Sequence, residues 1–186
     1  MAYEKKSIRS IIDDVNCRRV YLPAIQRKYV WGDNQITKLM DSIMLGYPVG
    51  TFLFWKVKKD VINKKEYSMY EFIKDYHERD LYKNPAAPQP FPIGSGDETL
   101  WAVLDGQQRL TSLYIALQGS MSRKLPNKRW KNDDAFPKKE LYFDLHSQNS
   151  DEDDISYEFR FMTTTDAAKN KDNHLWYLVK DILKYS

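Results

Sequence analysis

The sequence predicts a mixed α/β fold, and three observations carry that reading. Apolar, β-rich runs at 50–57 and 100–104 alternate with stretches of helical periodicity at 8–15, 36–44 and 110–117. A proline-rich stretch and two late strand-like runs interrupt the regular alternation of a doubly wound sheet. A chain of 186 residues that is 42% hydrophobic and 14% aromatic can bury the core of one domain and is not disordered.

Ser7 is placed to cap a first helix, in which Ile8, Ile11, Ile12 and Val15 line one face. Arg19 to Leu22 reads as a short strand ended by Pro23. Asp33 is the expected cap of a second helix, with Ile36, Leu39, Met40, Ile43 and Met44 as its buried stripe and Gly46 and Pro48 as its stop. The run from Gly50 to Val57 fits a strand covered on both faces. Tyr70 to Tyr82 reads as a helix rich in tyrosine and charge, and 84–99, with four prolines, as a loop. Leu100 to Leu104 is a second apolar strand, and a helix with Leu110, Leu113, Tyr114 and Leu117 on one face follows. Two further strands are expected at 140–145 and 157–162, and a last helix from Trp176 through Val179, Ile182 and Leu183.

A formal net charge of +3 announces no global field for nucleic acid, so any DNA contact must be local. The single cysteine, Cys17, excludes an internal disulfide and fits a reducing compartment. Charged residues open the chain where a signal peptide would be apolar, and no run approaches the ~20 apolar residues that span a bilayer. A soluble, cytoplasmic protein with no membrane partner is expected. His77, His146 and His174 stand far apart with no metal-ligand spacing, and the acidic run 151–154 reads as a solvated turn.

Chemistry concentrates where the second strand meets its helix, at Asp105-Gly106-Gln107-Gln108-Arg109. A helix start offers unpaired N–H groups and partial positive charge, which suit phosphate. Gly106 lets backbone approach a ligand closely. Gln107 and Gln108 supply amides, and Arg109 a planar fork that holds a phosphate through two hydrogen bonds. Asp105 could accept from a ribose, orient a water or help to hold magnesium. A plain polar turn is the alternative. A second constellation, Leu22 to Trp31, sets Gln26, Arg27 and Lys28 beside Tyr29 and Trp31, a mixture that can hold phosphate while stacking on a base or can serve as a basic turn around a packed indole. Between 122 and 139, seven Lys and Arg face two Asp. Arg123, Lys124, Lys128 and Arg129 in that stretch could track DNA phosphates or form a solvated loop.

Taken together, Leu-Pro-x-x-Gln-Arg-x-Tyr-x-Trp at 22–31, a helix ending Gly-Tyr-Pro-x-Gly at 46–50 and Leu-Asp-Gly-Gln-Gln-Arg-Leu-Thr-Ser-Leu at 104–113 resemble the N-terminal domain of GmrSD-type restriction proteins. The likeness runs from about Ser7 to Leu183. It implies a ParB/sulfiredoxin-like domain with a mixed sheet and flanking helices, filling 1–186 and carrying an insertion at 59–98. It also implies NTP binding and hydrolysis, aided by Mg2+, in an anti-phage system that recognises or cleaves modified DNA. A His-Asn-His nuclease domain would complete that system, either further along a longer chain or on a separate subunit; no such motif occurs here. On this reading Asp105, Gln108 and Arg109 are catalytic, with Asp105 as the possible Mg2+ ligand. Gln26, Arg27, Gly106, Gln107, Gln108 and Arg109 bind the triphosphate, and Lys28, Tyr29, Arg123, Lys124, Lys128 and Arg129 meet DNA. The alternatives are a DNA-binding module without NTP turnover and a ParB-like nuclease domain. A homo-oligomer stays open.

Overall fold

Nine strands, four α-helices and two short 3-10 turns make up the described part of the computed structural model, which comprises residues 4–25, 28–58, 68–88, 99–147, 157–169 and 173–185. The chain divides into two compact units. The first comprises Met1–Lys28, Thr51–Phe72 and Lys83–Gln107, and the second Tyr29–Gly50, Ile73–Tyr82 and Gln108–Ser186.

In the first unit, α1 (Ile8–Asn16) is capped by Ser7, whose hydroxyl accepts from the Ser10 amide at 3.1 Å. Ile11, Ile12 and Val15 form its buried face. A mixed four-stranded sheet follows, made of β1 (Val20–Pro23), β2 (Leu53–Lys58), β3 (Met69–Tyr70) and β5 (Thr99–Asp105) in the order β2-β5-β1-β3. β5 runs parallel to β1 and antiparallel to β2, so it is a central strand. Its β-rich apolar sequence suits that place: Leu100, Ala102 and Val103 are all buried, and Tyr21, Val57, Met69 and Ala87 join Leu100 and Ala102 in one core cluster. β2 departs from expectation. Among the described residues it is an edge strand, paired on one side only, with Leu53 exposed and only Val57 fully buried.

In the second unit, α2 (Asp33–Met44) starts one residue earlier than expected: Gly32 is the cap, and Asp33 lies in the first turn. The Gln35 amide oxygen accepts from the Gly32 N–H at 2.9 Å, which satisfies one donor at the helix start. Ile36 and Met40 are buried, but Met44 is exposed, so the apolar stripe stops one turn short of the predicted end. The stretch 70–82 is not a helix. It holds the end of β3, then β4 (Asp75–His77) and a tight turn bridging His77 to Leu81. Strand partners decide its structure, since β4 pairs in parallel with β6 (Ser120–Ser122).

β7 (Glu140–Asp144) is the centre of an antiparallel three-stranded sheet with β8 (Phe159–Met162) on one side and β9 (Trp176–Leu178) on the other. The predicted last helix is therefore a strand first; a 3-10 turn, Val179–Lys184, follows it. The short α4 (Thr164–Lys169) was not foreseen. Of the expected insertion at 59–98, residues 68–88 are described, and Met69, Phe72, Ile73, Tyr76 and Ala87 among them are buried. No helix among the described residues is long and apolar enough to cross a membrane.

One helix, α3 (Gln107–Gln118), continues directly from β5. Leu110, Thr111, Ser112, Leu113, Tyr114, Ile115, Ala116 and Leu117 are all buried, so it is enclosed on every side rather than amphipathic. Burial of each large aliphatic side chain contributes about 1.5–3 kcal/mol, which gives the motif at its start a rigid base.

Candidate functional site

The Asp105–Arg109 motif forms the corner between β5 and α3. Asp105 closes β5 opposite Leu53, and its side chain is exposed. Gly106 has φ 86°, a left-handed conformation that costs an L-residue roughly 1–2 kcal/mol, so the sharp turn needs glycine. α3 begins at the next residue. The Gln107 side chain turns back and donates to the Val103 carbonyl at 2.7 Å. Gln108 does the reverse: its amide oxygen accepts from the Val30 N–H at 3.0 Å, which ties the helix start to the Tyr29–Trp31 segment. The two glutamines brace the corner, while the backbone amides of the first turn keep the geometry that suits an anion.

Arg109 sits half-buried on the loop after α2, with its guanidinium donating to the Val49 carbonyl. That loop carries two glycines with positive φ, Gly46 at 77° and Gly50 at 85°. A Cβ at Gly50 would run into the Arg109 guanidinium, so the Gly-Tyr-Pro-x-Gly segment is shaped around this arginine. Gly50→Ala is expected to cost about 1–3 kcal/mol through backbone strain and the clash. It should also displace Arg109 from the Val49 carbonyl, and a thermal melt registers the combined loss. An alanine variant with wild-type melting would separate the glycine from the arginine.

Gln26 and Arg27 lie outside the described residues. Lys28 is exposed, but Tyr29 is buried, which corrects its expected role of stacking on a base. Its hydroxyl meets the buried Ser112 hydroxyl at 2.9 Å, and its ring packs edge-on against Tyr76. Burial pushes its phenol well above the ordinary tyrosine range, so it stays neutral. Arg123 is likewise committed to the scaffold. It donates to the Trp31 carbonyl at 3.0 Å, pairs with Asp33 at 3.1 Å and lies 5.4 Å over the Tyr76 ring. It thereby fastens the first motif to the start of α2. The Lys124 ammonium bonds the Leu125 carbonyl and its backbone N–H donates to Glu78.

Lys128 and Arg129 are different. They lie exposed on a loop closed by a 2.7 Å hydrogen bond from the Leu125 amide to the Ala135 carbonyl. Arg79 clamps this loop from inside through the Trp130 carbonyl, the Asp133 carboxylate and the face of Phe136. The loop also presents Lys131 and a half-exposed Trp130 whose ring meets Phe136 edge-on. Sequence reasoning missed Trp130, although an indole between Arg129 and Lys131 is the usual signal of a stacking contact.

A family model described as the GmrSD restriction endonuclease, N-terminal domain, matches residues 8–185. The chain belongs to this GmrSD N-terminal domain family. An uncharacterised protein of Methanocaldococcus jannaschii is 29% identical over 117 residues, which make up 63% of this chain and 18% of the relative. The GmrSD-type chain thus spans a small part of the curated relative that it matches. The matched family is thus described as the N-terminal domain of a restriction endonuclease.

Proposed function

We propose that this domain binds a nucleoside triphosphate at the corner between β5 and α3 and couples its binding and hydrolysis to the restriction of modified DNA. The observation that carries the reading is Gly106, whose φ of 86° turns an exposed strand-end aspartate directly into the start of a rigid, buried helix. First-turn amides and Arg109 then serve the phosphates, as the helix dipole favours. Gln107 and Gln108 hold the corner in shape. We keep Gln26 and Arg27 as further phosphate ligands on the sequence resemblance alone. An exposed carboxylate at the strand end suits Mg2+. When bound, the ion neutralises charge that develops on the transferred phosphoryl group. Asp105 would hold the ion, and Arg109 would stabilise the same charge from the protein side.

The DNA side of the function is assigned to the loop closed by Leu125 and Ala135. Lys128, Arg129 and Lys131 supply charge to backbone phosphates, and Trp130 supplies a ring against a base. A nuclease domain outside this segment, of the His-Asn-His type, would make the cut.

The test uses the whole chain with each of the four NTPs and Mg2+ in titration calorimetry, then with modified and unmodified DNA. Binding of at least one NTP without cleavage of either DNA is expected. A folded protein that binds no NTP but holds DNA would favour the binding-module alternative. Metal-dependent nicking that disappears in Asp105→Ala would make the domain itself the nuclease. For the loop, a Lys128→Ala/Arg129→Ala double variant should flatten the slope of log K against log salt by about 1.8, at about 0.9 per phosphate contact.

A further inference from the structure

One cluster of side chains takes no part in the nucleotide and DNA chemistry. It lies at one end of the three-stranded sheet. Asp144 is the last residue of the central strand β7, Glu158 stands one residue before β8 and His174 two residues before β9. Phe143 pairs with Phe159 and Asp144 with Trp176, so the register itself draws the three strand ends together. One imidazole and two carboxylates result, each offering an atom within 4.8 Å of the others.

We propose that Asp144, Glu158 and His174 form a divalent transition-metal site that clips the ends of these three strands. Nδ1 of His174 stands 2.6 Å from Oδ2 of Asp144 and 3.9 Å from Oε2 of Glu158. Ligand atoms on bonds of about 2.1 Å lie roughly 3.0–3.4 Å apart around a tetrahedral or octahedral ion. The short separation must open, and the long one close, by about half an ångström, which side-chain rotation supplies.

The donors are held in place. Oδ1 of Asp144 accepts from the His146 amide at 3.0 Å and the Leu175 amide at 2.9 Å, while Oδ2 faces the imidazole. The His174 ring stacks on Trp176 at 4.9 Å, and Arg160 lies over that indole while pairing with Glu158. Such supporting contacts orient metal ligands.

The donor set also selects. Imidazole favours Zn2+ and its neighbours over Mg2+ and Ca2+, and two carboxylates admit Mn2+. A bound ion would close the segments between residues 144, 158 and 174, which restricts the unfolded chain and raises stability.

Chelator-treated full chain is titrated separately with Zn2+, Mn2+ and Mg2+. One Zn2+ per chain is expected, with Mn2+ weaker and Mg2+ weaker by at least about 100-fold. The melting temperature should rise with Zn2+, and Co2+ in its place should give the visible absorption of a bound cobalt ion. His174→Ala and Glu158→Gln should each weaken Zn2+ by more than about 100-fold, since even supporting partners of ligands are worth about 10- to 100-fold. Their nucleotide affinity should not change, which keeps this result independent of the proposed NTP site. Glu158 is partly exposed, so its variant decides the matter if His174→Ala fails to fold. Wild-type protein that binds no Zn2+, or a folded Glu158→Gln variant with wild-type Zn2+ affinity, would reduce the cluster to a hydrogen-bonded network and overturn the proposal.

Discussion

Arg109→Ala is expected to weaken nucleotide binding by about 100- to 10,000-fold. Two charge-assisted hydrogen bonds to phosphate contribute about 1.5–3 kcal/mol each, and every 1.4 kcal/mol is about tenfold in affinity. Arg109→Lys should recover little of this, because a lysine keeps the charge but cannot reproduce the planar fork. The guanidinium also donates to the Val49 carbonyl, so some loss of stability will accompany the change. A denaturation curve measured beside the calorimetric titration separates the two effects. If Arg109→Ala is folded and binds NTP as tightly as wild type, the arginine is a scaffold residue and the corner is not a triphosphate site.

The largest loss of stability should come from Gly119, the residue that joins α3 to β6. A Cβ there would overlap the backbone carbonyl of Lys74, and no side-chain rotation relieves a clash with backbone. The strand pair β4–β6 begins at this point, with Asp75 opposite Ser120 and the Ser120 hydroxyl donating to the Asp75 carboxylate at 2.6 Å. Gly119→Ala must push these strands apart, at a cost of about 3 kcal/mol or more. For a chain of this size that lowers the melting temperature by roughly 6–12 °C. Gly46→Ala is the control: nothing lies within 4 Å of its added Cβ, so it should cost only the strain of its φ of 77°, about 1–2 kcal/mol. A Gly119→Ala protein that melts with the control would mean that the helix end shifts freely.

The corner was legible in the sequence because each of its parts is local. An apolar run, a glycine and a second apolar run with helical spacing are read along the chain, and β5, Gly106 and α3 stand where those signals put them. Long-range partners were not legible. Tyr29 sits among basic and aromatic residues in the sequence, but Ser112 and Tyr76 claim it in space. Residues 70–82 read as a helix rich in tyrosine and charge, yet β4 is drawn into pairing with β6 more than forty residues away. His174 showed no metal spacing because its two carboxylate neighbours come from other strands of the same sheet. Spacing along one chain segment reveals ligands on one helix or in one loop, but it is silent about ligands assembled by register.

The paired glutamines give the corner an uneven tolerance for change. Gln107 works through its NH2 group, as a donor to Val103, whereas Gln108 works through its oxygen, as an acceptor from Val30. Glutamate has nearly the shape of glutamine but only acceptors when ionised. At 108 it would keep the bond and strengthen it with charge. At 107 it would set an ionised carboxylate against a carbonyl inside the fold, a pairing relieved only if the carboxylate takes up a proton. Deamidation, which converts glutamine to glutamate without any change in the gene, would leave the Val30 bond its acceptor and take from the Val103 bond its donor.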